Sequence, residues 1–477
     1  MNESRRVYLL NYQSLSPETI AVTFAKTSRS PETFREIAAG LTDEKSADFH
    51  EKWVVGYGHA SVAEHAVLHI AVENISRLAV EPLESSRLAS YTEKSTRYQK
   101  WDKDQYHIPT EIKEDASLLK LYTSTSNMLF QTYANFLPKV RKQIAKTDPQ
   151  RPEETEEEWD RRIRSKYADV CRFLLPAASL ANVGVTINAR NLEHSIQKML
   201  SHPLAEVRIL GTEIKSVATE HVPTLVKYAN ETPYLKKSRM NFLSRSSEFD
   251  SSTSPPTSDW CRLTSYPNQY EDKILAACLF RFGSQPYETY QQVVENMKFE
   301  QKAQLGGMLF ENLQKYDIPL RELEHANFTY ELLLDQGAYF ELKRHRMMTQ
   351  TPQMLTCNEG FAVPKIIAAA GLEKEYHSVM QSAASAYKSL AQVNPWAAAY
   401  IVPNAYNRRV LLTLNLRAFD HLLALRSAPN AHFSIRRMAQ RMAEEIRQHS
   451  PLFGALLRVS PSETWQSIEE GYFSKTR

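Results

Sequence analysis

Two short stretches carry residues whose types and spacing could bind an anion. In the first, Glu93, Ser95 and Arg97 stand at alternate positions, which offers a phosphate a guanidinium fork and a hydroxyl, and offers a sugar hydroxyl or a backbone amide a carboxylate. In the second, Arg344-His345-Arg346 sets two guanidinium groups beside an imidazole. A Glu-x-Ser-x-Arg string also arises by chance, often as a local salt bridge, so its meaning depends on its surroundings.

The two stretches belong to two copies of one sequence pattern. An internal repeat of this size decides the domain organisation, so it precedes any fold assignment. Four landmarks occur in the same order in each half. They are 20–34 with 274–290, 58–65 with 320–325, 85–98 with 344–356, and 186–194 with 413–421. This shared order predicts a tandem duplication.

The elements that must position these residues are strands and helices. Residues 64–76 and 327–333 alternate around apolar side chains and predict strands, each followed by a helix that leads to the arginine stretch. Near the C-terminus, apolar residues at three- and four-residue steps predict an amphipathic helix. They are Ile435, Met438, Met442 and Ile446. The pattern favours two α+β domains in tandem.

The domain boundaries are predicted from composition. Residues 246–259 are polar and broken by prolines, which is typical of a linker. We therefore expect a first repeat over 1–235, a linker over 236–265 and a second repeat over 266–477. We also expect a charged insertion at about 100–166, present in the first copy alone. Its Glu- and Arg-rich part, 148–165, predicts a solvated helix or flap.

Composition excludes several classes of function. The chain has 477 residues, 42% of them hydrophobic and 24% charged, as in globular proteins. It has no apolar run long enough to span a bilayer and no secretory leader, so we expect a cytoplasmic protein without a membrane partner. A net charge of +3 does not indicate nucleic-acid binding. The four cysteines are far apart and predict no metal site.

The combined motifs resemble the signature region of the flavin-dependent thymidylate synthases. That family's pattern is His-x-Ser/Thr-x-x-Glu-His, then Arg-His-Arg-x-x-Ser, four intervening positions and Ser-x-Arg-Tyr. Residues 59–65 and 87–98 carry most of it in the first copy, and Arg344-His345-Arg346 supplies the missing start in the second. The resemblance extends to the Asn-x-Arg of both halves, with the later histidines and Arg426.

The resemblance implies a fold and an activity. The fold would be two tandem copies of an antiparallel sheet with packed helices. The activity would be reductive methylation of dUMP to dTMP, with methylenetetrahydrofolate as carbon donor and FAD carrying hydride from NADPH; no cysteine nucleophile is needed. Members are homotetramers whose sites lie between subunits. A tandem chain would therefore form a homodimer, a pseudo-tetramer.

The groups that this resemblance assigns to dUMP are divided between the copies. The first copy supplies Glu93, Ser95, Thr96, Arg97 and Arg172, and the second supplies Arg344 and Arg426, the two expected to act in catalysis. We call each such set of positions in one copy a face. The corresponding face of the other copy has lost these groups in each case. They carry Ser85 and Met199 in the first copy, and Pro352, Met354, Thr356 and Ala399 in the second. Random loss of residues would affect all four faces, whereas here the two retained faces are the two that form one site together. We therefore expect one composite site per chain.

The resemblance also assigns flavin-side groups. They are His59, Ser61, Glu64, Arg87, Asn188, Arg190 and His194 in the first copy, and His345, Arg346, Asn415, Arg417 and His421 in the second. One position departs from the pattern. The family's glutamine before Arg-His-Arg is Glu341 in the second copy, where a carboxylate would repel a phosphate unless neutralised or turned away.

Two other functions are compatible with the sequence. One is a non-catalytic flavin- or nucleotide-binding protein that lost its chemistry after duplication, and the other is a methylase of another pyrimidine nucleotide. The chain retains both Arg426 and the face that carries Arg97. A protein that only binds a ligand would not need both, so their retention favours catalysis. The number of FAD molecules per chain, one or two, is left open because Asn188, Arg190 and His194 persist.

Overall fold

A computed structural model describes residues 8, 10, 15–28, 30–249, 259–314 and 317–477. By its internal contacts the chain divides into two compact units. We call them the N-unit (1–94, 106–115 and 178–254) and the C-unit (95–105, 116–177 and 255–477). These units do not follow the predicted boundary between the repeats, because two first-copy segments belong to the C-unit.

The first half of the chain is mostly helical around three strands. The helices are α1 (Pro17–Lys26), α2 (Phe34–Ala39), α3 (Asp43–Phe49), α4 (Arg77–Leu83), α5 (Ala116–Thr147), α6 (Glu156–Cys171), α7 (Ala189–Leu200), α8 (Ala205–Thr219), α9 (Pro223–Val226) and α10 (Pro233–Ser247). The strands are β1 (Val67–Ser76), β2 (Ala89–Glu93) and β3 (Leu180–Asn188). Short 3₁₀ turns span Ala60–His65, Thr110–Ile112 and Arg172–Leu174, and a π-helical turn spans His50–Gly56.

The second half repeats this order with additions. Its helices are α11 (Tyr270–Phe282), α12 (Tyr287–Glu295), α13 (Phe299–Met308), α14 (Gln336–Leu342), α15 (Lys365–Ala369), α16 (Glu373–Val393), α17 (Pro395–Ala398), α18 (Leu416–Arg426), α19 (Phe433–His449) and α20 (Trp465–Tyr472). Its strands are β4 (Cys261–Ser265), β5 (Asn327–Asp335), β6 (Thr349–Pro352), β7 (Val363–Pro364), β8 (Asn407–Asn415) and β9 (Phe473–Lys475). The 3₁₀ turns are Arg321–His325 and Ala399–Ile401.

The main sheets of the two halves have the same topology and register. In the N-unit the antiparallel order is β1-β3-β2, and in the C-unit it is β5-β8-β6 with β4 added beside β5. Ser90 pairs with Thr186 in the first copy, and Thr349 pairs with Thr413 in the second. Since a one-residue slip would exchange the two faces of a strand, matching registers support a true duplication.

A β-bulge accounts for the small difference in spacing between the copies. β1 has ten residues and β5 nine, and the register of β1 shifts between Val72 and Ile75. Asn74, within the bulge, has a φ of 58°, and its backbone N–H donates to the side chain of Asn182. The extra residue therefore changes the spacing without changing which residues face the core.

The core of the C-unit forms where helix α19 packs against the sheet. Ile435, Met438, Met442 and Ile446 are all buried, as the helical spacing predicted. The hydroxyl of Tyr330 in β5 donates to the Met442 carbonyl at 3.1 Å. The amphipathic helix near the C-terminus and the strand at 327–333 are thus confirmed.

Three sequence-based boundaries differ from the structure. The segment predicted as a strand from residue 64 begins with the 3₁₀ turn, and β1 starts at Val67. The predicted linker, 236–265, includes most of α10 and all of β4, while residues 250–258 lie outside the described part. The predicted charged insertion, at about 100–166, includes helix α5. This helix takes the same place in the element order as α16, and ten of its residues are buried.

Candidate functional site

Arg97 is held by a carboxylate that the sequence did not identify. It follows β2, and its backbone N–H donates to the Ser95 hydroxyl at 3.2 Å. Its Nε and Nη2 each donate to one oxygen of Asp169, on α6, at 2.8 Å, and Nη1 donates to the Asn430 carbonyl at 3.0 Å. A two-point ion pair fixes the guanidinium plane. Burial raises the pKa of Asp169, against the lowering effect of Arg97.

Arg172 and Arg426 share one buried carboxylate, Glu341 on α14. Arg172 Nη2 donates to Glu341 Oε1 at 3.0 Å, and Arg426 Nη1 lies 3.5 Å from Oε2. Burial acts to raise the pKa of Glu341, but Arg172, Arg97 and Arg426 lower it overall, so the group is ionised at neutral pH. Arg97, Arg172 and Arg426 are called the arginine cluster below. All three lie in the C-unit.

His345 is fixed in its neutral form beside Arg426. Arg426 Nε, which can only donate, is 2.8 Å from His345 Nε2, so this ring nitrogen accepts and a proton sits on Nδ1. Burial, followed by the charge of Arg426, lowers the pKa of His345 to about 3. Burial likewise lowers the pKa of Arg426. The imidazole therefore orients a catalytic candidate without adding charge.

A second histidine, His432, contacts the backbone at Asp169, the residue that holds Arg97. His432 is fully buried, its Nε2 contacts the Asp169 carbonyl at 3.1 Å, and its Nδ1 accepts from the Ser434 N–H at 3.1 Å. A carbonyl only accepts and a backbone N–H only donates, so this ring is neutral with its proton on Nε2. His432 thus ties the start of α19 to the helix that carries Asp169, a link that no sequence motif indicated.

The other nucleotide-binding candidates differ in how far they are exposed and in which unit they lie. Arg344 is exposed, and its charge lowers the pKa of Arg426. Thr96 is buried. Glu93 lies in the N-unit, where its buried carboxylate pairs with Arg77 at 3.0 Å. Its carboxylate is therefore engaged with the protein itself.

None of the positions predicted to be inactive carries a guanidinium group. Met199, which stands where the second copy has Arg426, is buried in an apolar part of the N-unit with Leu83, Ile187 and Ile214. Ser85, the counterpart of Arg344, accepts from Lys198 Nζ at 3.1 Å. Ala399 is buried. The position that carries Arg426 in the second copy therefore has no charged group in the first.

The flavin-side candidates form similar contacts in both copies. Arg190 pairs with Glu64 in the N-unit, and Arg417 pairs with Glu324 at 2.6 Å in the C-unit. Asn188 and Asn415 cap α7 and α18. Their side chains accept from Asn191 and Ala418 backbone N–H groups. These residues therefore have structural roles in each copy.

The remaining flavin-side candidates are largely at the surface. Arg87, His194 and His421 are exposed, and Arg346 is partly buried. The His421 ring centroid lies 5.8 Å from that of His345. Burial lowers the pKa of both His194 and His421. Both rings are therefore disposed toward the neutral form.

His59 and Ser61 line a cleft in the N-unit. Its volume is about 760 Å³, within the range typical of ligand pockets. Aromatic side chains form part of the wall, with Phe24, Phe49 and Trp53 among them. The second copy has Pro319 and Arg321 in place of His59 and Ser61. Such a wall could contact a planar ring system, while the histidine and hydroxyl provide polar contacts.

The family can be assigned from the sequence comparison. The profile of the family described as thymidylate synthase complementing protein matches residues 9–224 and 262–452, which is most of the chain. The chain belongs to this family. The two matched regions fall one in each half, as a tandem duplication requires, and the sheets repeat accordingly.

Some relatives match nearly the whole of this chain, and others match about half of it. A UPF0159 protein of Chlamydia muridarum is 30% identical over 438 residues, which cover 88% of this chain and 82% of the relative. A UPF0159 protein of Thermoplasma acidophilum is 27% identical over 449 residues, 87% of this chain and 89% of the relative. A flavin-dependent thymidylate synthase of Clostridium tetani is 28% identical over 225 residues, 47% of this chain and 86% of the relative.

Two further properties concern the part of the chain that the structure describes. No helix there is both long enough and apolar enough to cross a membrane. Over the same residues, no group of three or more histidine, cysteine or acidic side chains could hold a metal ion.

Proposed function

We propose that the protein is a cytoplasmic flavin-dependent thymidylate synthase. It would convert dUMP to dTMP, with the carbon from methylenetetrahydrofolate and hydride from NADPH passed through FAD. The observation that carries the proposal is the arginine cluster, in which Arg97 and Arg172 of the first copy and Arg426 of the second lie in one compact unit. The activity named for the Clostridium tetani relative supports it.

The arginine cluster suits a nucleotide phosphate. Arg172 is 4% exposed, and its Nε has no hydrogen-bond acceptor among the described residues. A buried donor of this kind is costly unless a ligand completes it. Arg97 uses three of its five N–H donors on Asp169 and Asn430, which leaves two for a ligand. These unused donors could bind phosphate oxygens.

Arg426 and Arg344 would act on the pyrimidine. As carbon 5 of uracil becomes nucleophilic, negative charge develops on the ring oxygens, and fixed positive groups stabilise it. His345 holds Arg426 by its Nε, so the guanidinium is oriented before the substrate arrives. Arg344 is exposed.

The residues of the N-unit cleft fit a flavin. Its aromatic wall can contact a planar ring, and His59, Ser61 and Lys26 can donate to polar groups of the cofactor. Bound FAD would supply the hydride that reduces the transferred carbon to a methyl group. The Glu64–Arg190 pair lies in the same unit and would contribute charged contacts.

We also propose one dUMP site per chain and a homodimer that forms a pseudo-tetramer. The retained groups of the two copies are complementary, and Met199 is buried in apolar surroundings where Arg426 would stand. A second nucleotide site would therefore lack its charged groups.

The activity can be tested directly on purified protein. We expect a yellow protein that oxidises NADPH when dUMP and methylenetetrahydrofolate are supplied, and that then produces dTMP detectable by chromatography. It should also restore growth without thymidine to a strain that lacks its own thymidylate synthase. Flavin-loaded protein that forms no dTMP would favour the binding-protein alternative. Turnover with another pyrimidine nucleotide would favour the other methylase.

A further inference from the structure

Glu341 occupies the centre of the arginine cluster. One carboxylate oxygen accepts from Arg172 Nη2 at 3.0 Å, and the other lies 3.5 Å from Arg426 Nη1. Its side chain is 7% exposed, so water does little to screen these contacts. The carboxylate thus contacts Arg172, which a phosphate would use, and Arg426, which would face the pyrimidine.

Among the described residues, no other carboxylate forms an ion pair with Arg172 or Arg426, although the charges of Asp169 and Asp335 also act on Arg172. Asp169 directs both oxygens to Arg97, at 2.8 Å each. Arg172 is buried, and Arg426 lies partly buried beside the neutral His345. Without Glu341, two largely dehydrated cations would lie near each other and near Arg97, an arrangement that is costly without an anion.

A phosphate that enters the cluster meets this carboxylate. A phosphate oxygen and Glu341 compete for the same N–H groups, and their like charges repel at short range. We propose that Glu341 is an internal counter-ion that takes the place of the ligand phosphate in the empty protein and competes with it on binding. It would thereby set the affinity of the site. This inference rests on the proposed function only in placing a phosphate at the arginine cluster.

Inorganic sulfate is the appropriate probe, because it stays a dianion at neutral pH and needs no flavin or folate. Glu341→Gln keeps the size of the side chain and removes its charge. In sulfate-free buffer this variant should unfold at a lower temperature than the wild type. Added sulfate should raise its unfolding temperature more than that of the wild type, and calorimetry should show sulfate binding roughly tenfold tighter or more.

Glu445→Gln is the matched control. Glu445 is an ion-paired carboxylate of the same unit, 2.6 Å from Arg441, but it does not contact the arginine cluster. Its replacement should leave sulfate affinity at the wild-type value. Equal sulfate affinity in wild type and Glu341→Gln, or weaker affinity in the variant, would overturn the proposal.

A second variant covers the case in which Glu341→Gln does not fold. Glu341→Asp keeps the charge but shortens the side chain by one methylene, so it should bind sulfate more tightly than the wild type, by a smaller factor. Wild-type or weaker affinity in this variant would also overturn the proposal. Sulfate binding is independent of turnover. Tighter binding in a protein that makes no dTMP would leave this inference standing while the proposed activity failed.

Discussion

Arg97 and Asp169 show how a predicted ligand-binding residue depends on a partner that motifs do not reveal. The two are 72 residues apart, yet the carboxylate holds the guanidinium at two points. Residue type and spacing singled out Arg97 as a candidate, because a guanidinium group near a hydroxyl is a recognisable anion binder, and the family resemblance singled out Arg172 and Arg426. They did not identify Asp169 or His432, since their contacts are made only after folding. Glu341 was recognised as a departure, but its ion pairs needed the structure.

Arg97→Ala should weaken dUMP binding. The variant loses a charge-assisted contact worth about 1.5–3 kcal/mol, or roughly a ten- to hundredfold rise in Kd. Calorimetric titration well below the unfolding temperature measures this. Thr356→Ala, at the corresponding position of the second copy, is the control and should leave Kd unchanged. An equal loss in both variants would mean that the retained and lost faces were assigned wrongly.

His345 should make folding stability depend on pH. Its pKa falls to about 3 in the folded protein, below the ordinary value of 6.5. The unfolded state therefore binds more protons in this window, and the stabilisation present above pH 6.5 is lost as pH falls toward 3. The free energy of unfolding by urea should decrease from pH 7 to pH 5 less steeply in His345→Gln than in the wild type. Identical slopes would contradict a buried, neutral imidazole.

At the scale of elements, periodicity predicted what repeats locally and missed what depends on long-range packing. Alternating apolar residues identified β5, and three- and four-residue spacing identified α19. Helix α5 was assigned to a charged insertion, although ten of its residues are buried. The charged residues lie mainly in the neighbouring segment 148–165, and two helices that contact α5, α6 and α16, come later in the chain.

Asn415 should stabilise helix α18 as its N-cap, whether or not a ligand is bound. Its side chain accepts from the Ala418 N–H at 2.8 Å and caps the helix that carries Arg426. Asn415→Ala should lower the free energy of unfolding by about 1 kcal/mol, whereas Asn415→Asp, which can still cap, should change it little. Chemical denaturation of both variants tests this. Equal destabilisation by the two replacements would show that the cap is not the cause.

At the scale of the whole molecule, the sequence repeat and the compact units divide the chain at different residues. The repeat could be recognised from paired landmarks, and the matching strand registers support it. The unit boundaries could not, because they depend on contacts rather than on similarity. Segments 95–105 and 116–177 belong by sequence to the first copy and by packing to the C-unit. That assignment places Arg97 and Arg172 in one unit with Glu341 and Arg426.

The number of dUMP molecules bound per chain tests the central claim most directly. Each chain contains two copies of the domain, but only one combination of faces keeps its arginines, while the other has Met199 and Ala399 buried in their place. A site without these donors cannot replace the lost hydration of a phosphate dianion. Calorimetric titration of dUMP into flavin-saturated protein of known active concentration should give a value near one per chain. Two equivalent sites per chain would contradict the account.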